Sequence, residues 1–465
     1  MKKYDIAVIG AGSAGFSAAI TAADQGAKVA LIGFGTIGGT CVNVGCVPSK
    51  TMIRAVDSLH QARTAARFAG IKASAEIDDW AMLKAQKDAL VDQLRQAKYL
   101  DLLPSYENIS YIEGEARLTG QGVDINGVAL DADKIIITTG STVRTPDIPG
   151  IETVSYLTST EALDLEKLPR SLLVIGGGYI GCELAQMFCR AGVVVTLVCR
   201  SRLLPQAEPE ISTVLSDYLR DEGVTLCDGV KYQEIRSTKN GVELDVIERG
   251  QVTTLKAEQG LVTTGRRANT DGLGLKEAGI DLLLSDGIKV DDHMQTTREG
   301  VFAAGDVTGK DQFVYMAAYG AKVAANNALK PDSMRYDNSA MPWVVFTDPQ
   351  VAGVGMSEAT ARQLGYDVKT STLALSHIPR ALAARDTRGV IKLVADAHSN
   401  KLIGAQILAP EGADSIQTAV LAIKCGLTIN DLADTIFPYL TTVEGLKLAA
   451  QTFDKDVSKL SCCAG

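Results

Sequence analysis

Short apolar runs alternate with glycine-rich turns and alanine-rich stretches in two separate parts of the chain. In the first part, residues 5–10 (DIAVIG) predict a buried strand, and residues 28–32 predict a second one. The glycines and alanines between them predict a turn and a helix to about residue 25. The same order returns in residues 171–198, as SLLVIG, a glycine-rich turn, a helix through Arg190 and VVVTLV. Two such strand–helix–strand units predict two dinucleotide-binding folds.

Glycines at matching positions follow the first strand of each unit. The first glycine permits a tight turn, the second lets the backbone approach a pyrophosphate, and the third lets the helix pack closely on the strand. The free N–H groups of the helix N-terminus then favour the phosphate charge. A turn without a ligand is the alternative, which the duplication disfavours. The expected dinucleotide-binding positions are Gly10, Gly12, Ala14 and Gly15 in the first unit and Gly176, Gly178 and Gly181 in the second.

Later segments predict further strands around these sites. The runs IIITTG and GLVTTGRRANT are typical of strands that return to a nucleotide-bearing sheet, and they contribute Gly140 and Gly265 as expected cofactor contacts. The segment VFAAGDV places Asp306 directly after a buried strand, where a carboxylate could accept a hydrogen bond from a sugar or ribityl hydroxyl. From about residue 340, the runs WVVFTDP, GVIKLVAD and KLIGAQILAP predict an antiparallel sheet followed by helices.

Composition disfavours several classes of function. The 465 residues, 46% hydrophobic and 22% charged, are enough for about three globular domains. The net charge of −9 argues against nucleic acid as a partner, because phosphate binding needs clustered lysines and arginines. Residues 6–23 superficially resemble a signal peptide, but their glycines favour the strand–turn–helix interpretation. We therefore expect a cytoplasmic protein without stable membrane insertion, in which most of the nine cysteines are reduced.

Cys41 and Cys46 lie five residues apart in the segment GGTCVNVGCVPSK. A regular helix would separate them by roughly 7 Å along its axis, too far for a comfortable disulfide. Gly45 can loosen the backbone between them, and the start of a helix stabilises a thiolate. The pair therefore predicts a redox centre. A structural zinc site would need further ligands, and none lies nearby in the sequence. Two unreactive buried cysteines are the other alternative.

These features together resemble the pyridine nucleotide-disulfide oxidoreductase family over nearly the whole chain. The resemblance implies a glutathione reductase-like α/β fold, with two Rossmann-like dinucleotide-binding domains and a C-terminal α+β dimerisation domain. It implies a homodimer whose active sites are shared across the interface. The implied domains are 1–145 for FAD, 146–268 for NADPH, 269–338 as a return to the FAD domain, and 339–465 as the interface domain.

The resemblance also implies roles for residues around the redox centre. Cys46 would be the thiol that contacts the flavin and gives a charge-transfer band, and Cys41 would be the exposed interchange thiol. Lys50 would lie near flavin N5 and pair with Glu183. Tyr179 would cover the nicotinamide pocket as a gate.

Three further FAD-binding positions implied by the resemblance are Asp306, Gly39 and Thr40. The chain departs from the family at the end of its second strand. That strand usually ends in an acid that binds the adenosine ribose, whereas here it ends in Gly33, which offers no carboxylate. FAD can still bind through its pyrophosphate and isoalloxazine contacts.

The second unit predicts which nicotinamide cofactor is used. Its second strand is followed by Arg200 and Arg202, with no acid. An acid would accept the ribose 2′-hydroxyl of NADH, whereas arginines pair with the 2′-phosphate of NADPH. The sequence therefore favours NADPH. Solvated surface charges are the alternative interpretation of these two arginines.

The substrate is indicated by a segment near the C-terminus. Disulfide reductases of the family carry a histidine there as a thiol acid–base, with a nearby glutamate that orients it. The matching stretch here is FPYLTTVEG, which keeps Glu444 but has Tyr439 in place of the histidine. A neutral phenol is a poor proton shuttle near pH 7, so we expect inefficient cleavage of thiol–disulfide substrates.

The chain ends in LSCCAG, which places Cys462 and Cys463 side by side on a tail. Such a pair suits the capture of a thiophilic ion, since soft thiolates select soft metals and two sulfurs satisfy the linear coordination of Hg(II). An incidental solvated tail is the alternative. With Tyr439, the tail resembles the mercuric reductase branch of the family, without an N-terminal metal-binding domain before the core.

This resemblance implies NADPH-dependent reduction of Hg(II) to Hg(0) through FAD. Hg(II) would arrive as complexes with small thiols, exchange onto Cys462 and Cys463 of the partner subunit, and pass to Cys41 and Cys46, beside Tyr439. Two alternatives stay open. One is an NADPH-dependent reductase of low-molecular-weight disulfides or of thioredoxin, and the other is a non-catalytic protein that sequesters metal.

Overall fold

The computed structural model describes residues 3–120 and 122–456. Its strands are β1 Lys3–Ile9, β2 Val29–Gly33, β3 Ile109–Glu113, β4 Ala116–Thr119, β5 Gly122–Ile125, β6 Val128–Ile137, β7 Ser141–Val143, β8 Ser171–Ile175, β9 Val194–Val198, β10 Thr225–Cys227, β11 Lys231–Thr238, β12 Gly241–Glu248, β13 Gln251–Ala257, β14 Gln259–Val262, β15 Arg266–Ala268, β16 Val301–Ala303, β17 Pro342–Val345, β18 Gln350–Gly355, β19 Val368–Ala374, β20 Val390–Asp396 and β21 Leu402–Ala409.

The α-helices are α1 Ser13–Ala23, α2 Gly39–Asn43, α3 Cys46–Arg63, α4 Trp80–Arg95, α5 Ser159–Leu163, α6 Tyr179–Arg190, α7 Pro209–Asp221, α8 Val314–Leu329, α9 Glu358–Gln363, α10 Pro379–Ala384, α11 Gly412–Lys424, α12 Ile429–Asp434 and α13 Glu444–Gln451. A π-helical turn at Gln96–Leu100 continues α4.

One compact unit combines the chain up to Thr51 with Ala81–Arg144 and Gly265–Asp337. Its seven-stranded sheet has the order β3-β2-β1-β6-β5-β4, with β16 beside β6. β1 pairs in parallel with β2 and β6, and α1 packs against α8. Parallel strands are covered on both faces, which explains why residues 6–9 of β1 and 29–32 of β2 are continuous apolar runs. The strand–helix–strand unit predicted at residues 5–32 is confirmed, and with it the interpretation of residues 6–23 as strand, turn and helix.

A second compact unit contains Met52–Trp80, Thr145–Thr264 and the chain from Asn338 onwards. Its first sheet is parallel and has the order β10-β9-β8-β14. The helix predicted to end at Arg190 is α6, which connects β8 to β9. An antiparallel sheet of β11, β12 and β13 follows. The second predicted nucleotide unit is therefore confirmed as a βαβ fold.

The same unit contains the antiparallel sheet predicted from residue 340. Its order is β17-β18-β21-β20-β19, and every neighbouring pair is antiparallel. Helix α11 packs on β18 and β21, while α13 packs on β19 and β20. Leu393, Ile407, Ile416 and Leu446 lie in the resulting core, each at most 1% exposed.

No helix within residues 3–120 and 122–456 is long and apolar enough to cross a membrane.

Candidate active site

The first glycine loop lies between β1 and α1. A Cβ at Gly10, whose φ is +117°, would overlap the carbonyl of Thr138, and a Cβ at Gly15 would overlap the carbonyl of Gly10. The Thr138 hydroxyl donates to the carbonyls of Ile9 and Gly10, at 3.0 Å each, which fixes the turn. A Cβ at Gly12 would meet only the Cα of Gly39, at 3.5 Å. Protein packing therefore accounts for the first and third glycines, while the second leaves open space of the kind a pyrophosphate needs.

The second glycine loop repeats this arrangement between β8 and α6. A Cβ at Gly176 would collide with the carbonyl of Thr263, and a Cβ at Gly181 would collide with the carbonyl of Gly176. The Thr263 hydroxyl donates to the carbonyls of Ile175 and Gly176, as Thr138 does in the first loop. A Cβ at Gly178 would have no atom within 4 Å. Both loops thus fit a dinucleotide. In each, packing inside the protein explains the first and third glycines of the motif, and only the middle glycine has open space beside it.

Helix α2 begins against the first loop. A Cβ at Gly39 would lie 2.7 Å from the Cα of Gly12, and Gly39 has a φ of +69°. Thr40 is exposed one residue later, whereas Ala14 is buried in α1. Gly305 approaches Ala14, since a Cβ there would lie 3.2 Å from that of Ala14. Of the expected contacts, Gly12 and Gly39 therefore lie against each other and Thr40 follows them at the surface, while Ala14 is packed inside the protein.

The two Thr-Thr-Gly runs end in open turns. Gly140 and Gly265 have φ values of +74° and +99°, and a Cβ at either would have no atom within 4 Å. Positive φ favours glycine at both positions regardless of a ligand. Their backbones leave room for a cofactor.

Asp306 follows β16 at the start of a 3₁₀ turn. It accepts a hydrogen bond from the Ser141 hydroxyl at 2.6 Å, and the Arg266 guanidinium lies 3.8 Å from the same carboxylate oxygen. Arg266 also donates to the Ser141 hydroxyl at 2.7 Å and to the Ser141 carbonyl at 2.6 Å. Asp306 was predicted from the sequence, but Ser141 and Arg266 were not, because antiparallel pairing of β7 with β15 brings them together.

The redox cysteines lie on two different helices. Cys41 is in α2, Cys46 is the first residue of α3, and neither forms a disulfide. Gly45 joins the helices, and a Cβ there would lie 2.8 Å from the Thr40 carbonyl and 3.3 Å from the Cα of Cys41. The loosening expected at Gly45 is thus a break between two helices, which brings Cys46 back within hydrogen-bonding reach of Cys41.

Electrostatics distinguish the two thiols. The hydrogen bond to Cys46, with burial, raises the pKa of Cys41 well above its ordinary value, while the positive charge of Lys50 opposes this shift. Cys41 therefore keeps its proton to higher pH than an ordinary cysteine does. Cys46 also stands at the N-terminus of an 18-residue helix, where the dipole favours a thiolate. Lys50 lies one turn into the same helix.

Two residues near the thiols were not found from the sequence. Burial raises the pKa of the Tyr99 phenol, and negative charge on Cys41 and Cys46 adds to that shift. Tyr99 lies in the π-helical turn, with its hydroxyl 3.2 Å from that of Ser13. π-helical turns are frequent at functional sites, but no sequence signal marks this one. Burial lowers the pKa of Arg266, although Asp306 and Cys46 oppose the shift.

Tyr179 is the first residue of α6, directly after the open Gly178. Its ring stacks on that of Trp343, with centroids 5.8 Å apart, and burial raises the pKa of its phenol. Glu183, one turn further on, is buried and accepts the Phe346 N–H at 2.9 Å. The pairing of Glu183 with Lys50 stays a prediction.

The two arginines after β9 differ in their contacts. Arg202 donates to the carbonyls of Pro205 and Ala207, at 2.8 and 2.6 Å, and so holds the loop before α7. Arg200 is exposed at the end of β9. Arg200 is therefore the better placed of the two for a phosphate.

Tyr439 lies in the loop before α13 and is 51% exposed. Glu444 is buried at the start of that helix and accepts the N–H of Leu440, whose φ is +63°. In place of orienting a histidine, Glu444 thus fixes the loop that contains Tyr439. Cys462 and Cys463 lie outside the described residues.

The remaining cysteines of the described residues differ in their exposure. Cys182 and Cys199 are buried, Cys189 and Cys227 are half-buried, and Cys425 is exposed. Burial raises the pKa of Cys199 to about 12. Across residues 3–120 and 122–456, no group of three or more histidine, cysteine, aspartate or glutamate side chains is arranged to hold a metal ion.

Comparison with protein families places these features in context. The model described as "Pyridine nucleotide-disulphide oxidoreductase" matches residues 4–325, and that of the family's dimerisation domain matches residues 341–450. The chain belongs to the pyridine nucleotide-disulphide oxidoreductases. It carries the dimerisation domain of that family, and its cofactors are FAD and NADPH.

Several curated relatives of this oxidoreductase are mercuric reductases. That of Staphylococcus aureus is 47% identical and matches 99% of this chain and 84% of its own length. That of Streptomyces lividans is 43% identical, with 99% and 98% covered. Among solved structures, the Cu(II) complex of the HOCl-induced flavoprotein disulfide reductase RclA from Escherichia coli is 30% identical. It has a TM-score of 0.85 and covers 97% of this chain and 100% of its own.

Proposed function

We propose that this oxidoreductase uses NADPH to reduce Hg(II) to Hg(0), with Cys41 and Cys46 as the metal ligands. The observation that carries the proposal is the pair of reduced thiols held together by the helix break at Gly45. Two soft sulfurs suit an ion that prefers linear coordination. The mercuric reductases at 43–47% identity over 99% of the chain support the same reaction.

We assign FAD to the loop of Gly10, Gly12 and Gly15, and NADPH to the loop of Gly176, Gly178 and Gly181. When bound, FAD carries the two electrons of a hydride from NADPH to the cysteine pair. The chain's own part is to hold the pyrophosphates on the N-termini of α1 and α6.

The two thiols take different parts in metal binding. Cys46 stands at the start of α3, where the helix dipole favours a thiolate, and it supplies the first sulfur. Cys41, whose pKa is raised, loses its proton when Hg(II) replaces it. When Hg(II) leaves a complex with two small thiols, the two protons of the cysteine pair pass to the two thiolates that it leaves behind. Reduction of the bis-thiolate complex by one NADPH, with uptake of one proton, yields Hg(0), both thiols and NADP⁺. Lys50 favours the thiolate state of Cys41 electrostatically.

Tyr439 disfavours the second candidate, reduction of disulfides, although the similar flavoprotein RclA of Escherichia coli is a disulfide reductase. Disulfide exchange needs a group that protonates the leaving thiolate, and a phenol is less suited to this than a histidine near pH 7. We propose that the hydroxyl of Tyr439 instead lies beside the bound metal.

Delivery of the metal involves the C-terminal cysteines and the homodimer. We propose that Cys462 and Cys463 of one subunit accept Hg(II) from small-thiol complexes and pass it to Cys41 and Cys46 of the other. Exchange of a bound ion between accessible thiolates is fast, which favours transfer of Hg(II) from one cysteine pair to the other. Replacing both terminal cysteines by alanine should impair turnover of thiol-bound Hg(II) while NADPH still reduces the flavin, and equal loss of both would contradict the relay.

Substrate choice tests the proposed reaction directly. NADPH oxidation is measured with Hg(II) in excess thiol and, separately, with glutathione disulfide. We expect turnover with Hg(II) and little with the disulfide. Rapid oxidation with the disulfide and none with Hg(II) would instead establish a disulfide reductase. Binding of Hg(II) without NADPH oxidation would indicate sequestration.

A further inference from the structure

The FAD site as assigned above lacks an acid for the adenosine ribose. In a Rossmann unit, the residue that ends the second strand commonly offers a carboxylate to the ribose hydroxyls. Here β2 ends at Gly33, which is buried. A ribose at this place would lose a hydrogen-bonding partner unless another residue supplies one.

Tyr111 of β3 fills the space that a side chain at position 33 would occupy. A Cβ on Gly33 would lie 2.6 Å from the Tyr111 hydroxyl oxygen and 2.8 Å from its ring carbon Cε2. A larger residue at position 33 is therefore incompatible with Tyr111. The hydroxyl oxygen lies about as far from that position as the carboxylate oxygen of a short acid would lie from its own Cβ.

The sheet register explains this placement. β2 and β3 are parallel, with Leu31 opposite Tyr111 and Gly33 opposite Glu113. Tyr111 therefore lies on the same face of the sheet as Leu31. Gly33, two positions beyond Leu31, is on that face as well, and the Tyr111 side chain extends along the face towards it. A Cβ on Gly33 would also lie 2.8 Å from the Cβ of Ala11, which follows Gly10 in the first loop. The phenol hydroxyl thus lies beside the loop assigned to the FAD pyrophosphate.

Two properties of the Tyr111 hydroxyl suit it to binding a ligand. Within residues 3–120 and 122–456, the Tyr111 hydroxyl makes no hydrogen bond to the protein. Burial, with the negative charge of Glu113, raises the pKa of the phenol. The group therefore stays protonated at neutral pH and can both donate and accept a hydrogen bond, as a ribose hydroxyl requires.

We propose that the hydroxyl of Tyr111 binds the adenosine ribose of FAD in place of the missing acid, and that Gly33 is glycine because Tyr111 needs its space. The proposal rests on the assignment of FAD to the first loop. It is independent of the substrate that the enzyme reduces.

Cofactor binding to the flavin-free protein tests the proposal without any turnover. FAD and FMN are titrated into the stripped wild-type protein and into Tyr111→Phe, and dissociation constants are taken from flavin fluorescence. Loss of one hydrogen bond should weaken FAD roughly 3- to 10-fold. FMN, which lacks adenosine, should bind the two proteins equally. Tyr106→Phe, a half-buried tyrosine just before the same strand, is the control and should match wild type.

A pair of substitutions distinguishes loss of the hydrogen bond from loss of packing around Tyr111. Gly33→Glu alone should clash with Tyr111 and weaken FAD, whereas Gly33→Glu with Tyr111→Ala should regain most of the wild-type affinity by supplying the usual acid. Equal FAD affinity of Tyr111→Phe and wild type, or equal weakening of FAD and FMN, would overturn the proposal. Weakening by Glu113→Gln but not by Tyr111→Phe would also overturn it. Failure of wild type to bind FAD at all would instead refute the assignment of the first loop.

Discussion

Tyr179 stacks on Trp343 with their ring centroids 5.8 Å apart and their planes 12° apart. Trp343 is itself fixed, because a Cβ at Gly353 on the neighbouring strand would overlap the indole. A hydrogen bond with Gln206 also restrains the phenol of Tyr179. If Tyr179 covers the nicotinamide pocket, the incoming nicotinamide must displace a ring that is held by this stack.

Removing the stack should therefore tighten binding of the nicotinamide cofactor. Stacking contributes about 0.5–1.5 kcal/mol beyond the buried area, so Trp343→Leu should bind NADP⁺ about 2- to 10-fold more tightly by calorimetry. Tyr179→Phe keeps the aromatic stack and loses only the hydroxyl, so it is the matched control. Unchanged or weaker binding in Trp343→Leu would show that Tyr179 does not have to leave the stack.

Cys46 should determine the pH at which Cys41 loses its proton. Cys46 raises the pKa of Cys41, so Cys41 remains a thiol in the reduced protein until high pH. Cys46→Ser removes that influence and should shift alkylation of Cys41 by iodoacetamide to lower pH. Rates followed against pH by mass spectrometry measure the shift. A profile for Cys41 that is the same in wild type and variant would contradict the coupling.

Cofactor preference should depend on Arg200 more than on Arg202. A charged hydrogen bond to phosphate contributes about 1.5–3 kcal/mol, so Arg200→Ala should lower the NADPH/NADH ratio of kcat/KM about tenfold or more. Arg202 holds the carbonyls of Pro205 and Ala207, so Arg202→Ala should affect both cofactors more evenly. If neither variant changed the ratio, both arginines would be ordinary surface charges.

Arg190 should be indispensable for the stability of its unit. Its side chain is 3% exposed and donates to Asp57, Glu222 and Asp348, at 2.6–2.8 Å. Arg190→Leu would remove the buried charge that these three poorly solvated carboxylates share, at a cost of about 3–5 kcal/mol, and Arg388 would still pair with Glu222 and Asp348. Urea unfolding measures the loss. Arg170→Ala, which removes an exposed pair with Glu258, is the control and should change stability by at most about 1 kcal/mol.

The sequence was most informative where spacing alone determines geometry. The glycines of both nucleotide loops were predicted because strand–turn–helix packing leaves no room for a Cβ at Gly10, Gly15, Gly176 and Gly181. The approach of Cys46 to Cys41 was predicted for a similar reason, since no regular helix joins cysteines at that spacing.

Contacts that depend on sheet register were not predictable in this way. Tyr111 reaches Gly33 across 78 positions of the chain because β3 pairs with β2. Arg266 meets Ser141 because β15 pairs with β7. Neither pair has a local signal, and the absence of an acid at position 33 gave no indication of what replaces it.

Mercury release per NADPH consumed is the most direct test of the central claim that Cys41 and Cys46 hold Hg(II) for reduction. Volatilised Hg(0) and NADPH oxidation are measured together under nitrogen, with Hg(II) supplied in excess thiol. We expect one Hg(0) for each NADPH in wild type, and almost none in Cys46→Ser although that variant still binds FAD. NADPH oxidation without Hg(0) release in wild type, or undiminished release by Cys46→Ser, would contradict the account.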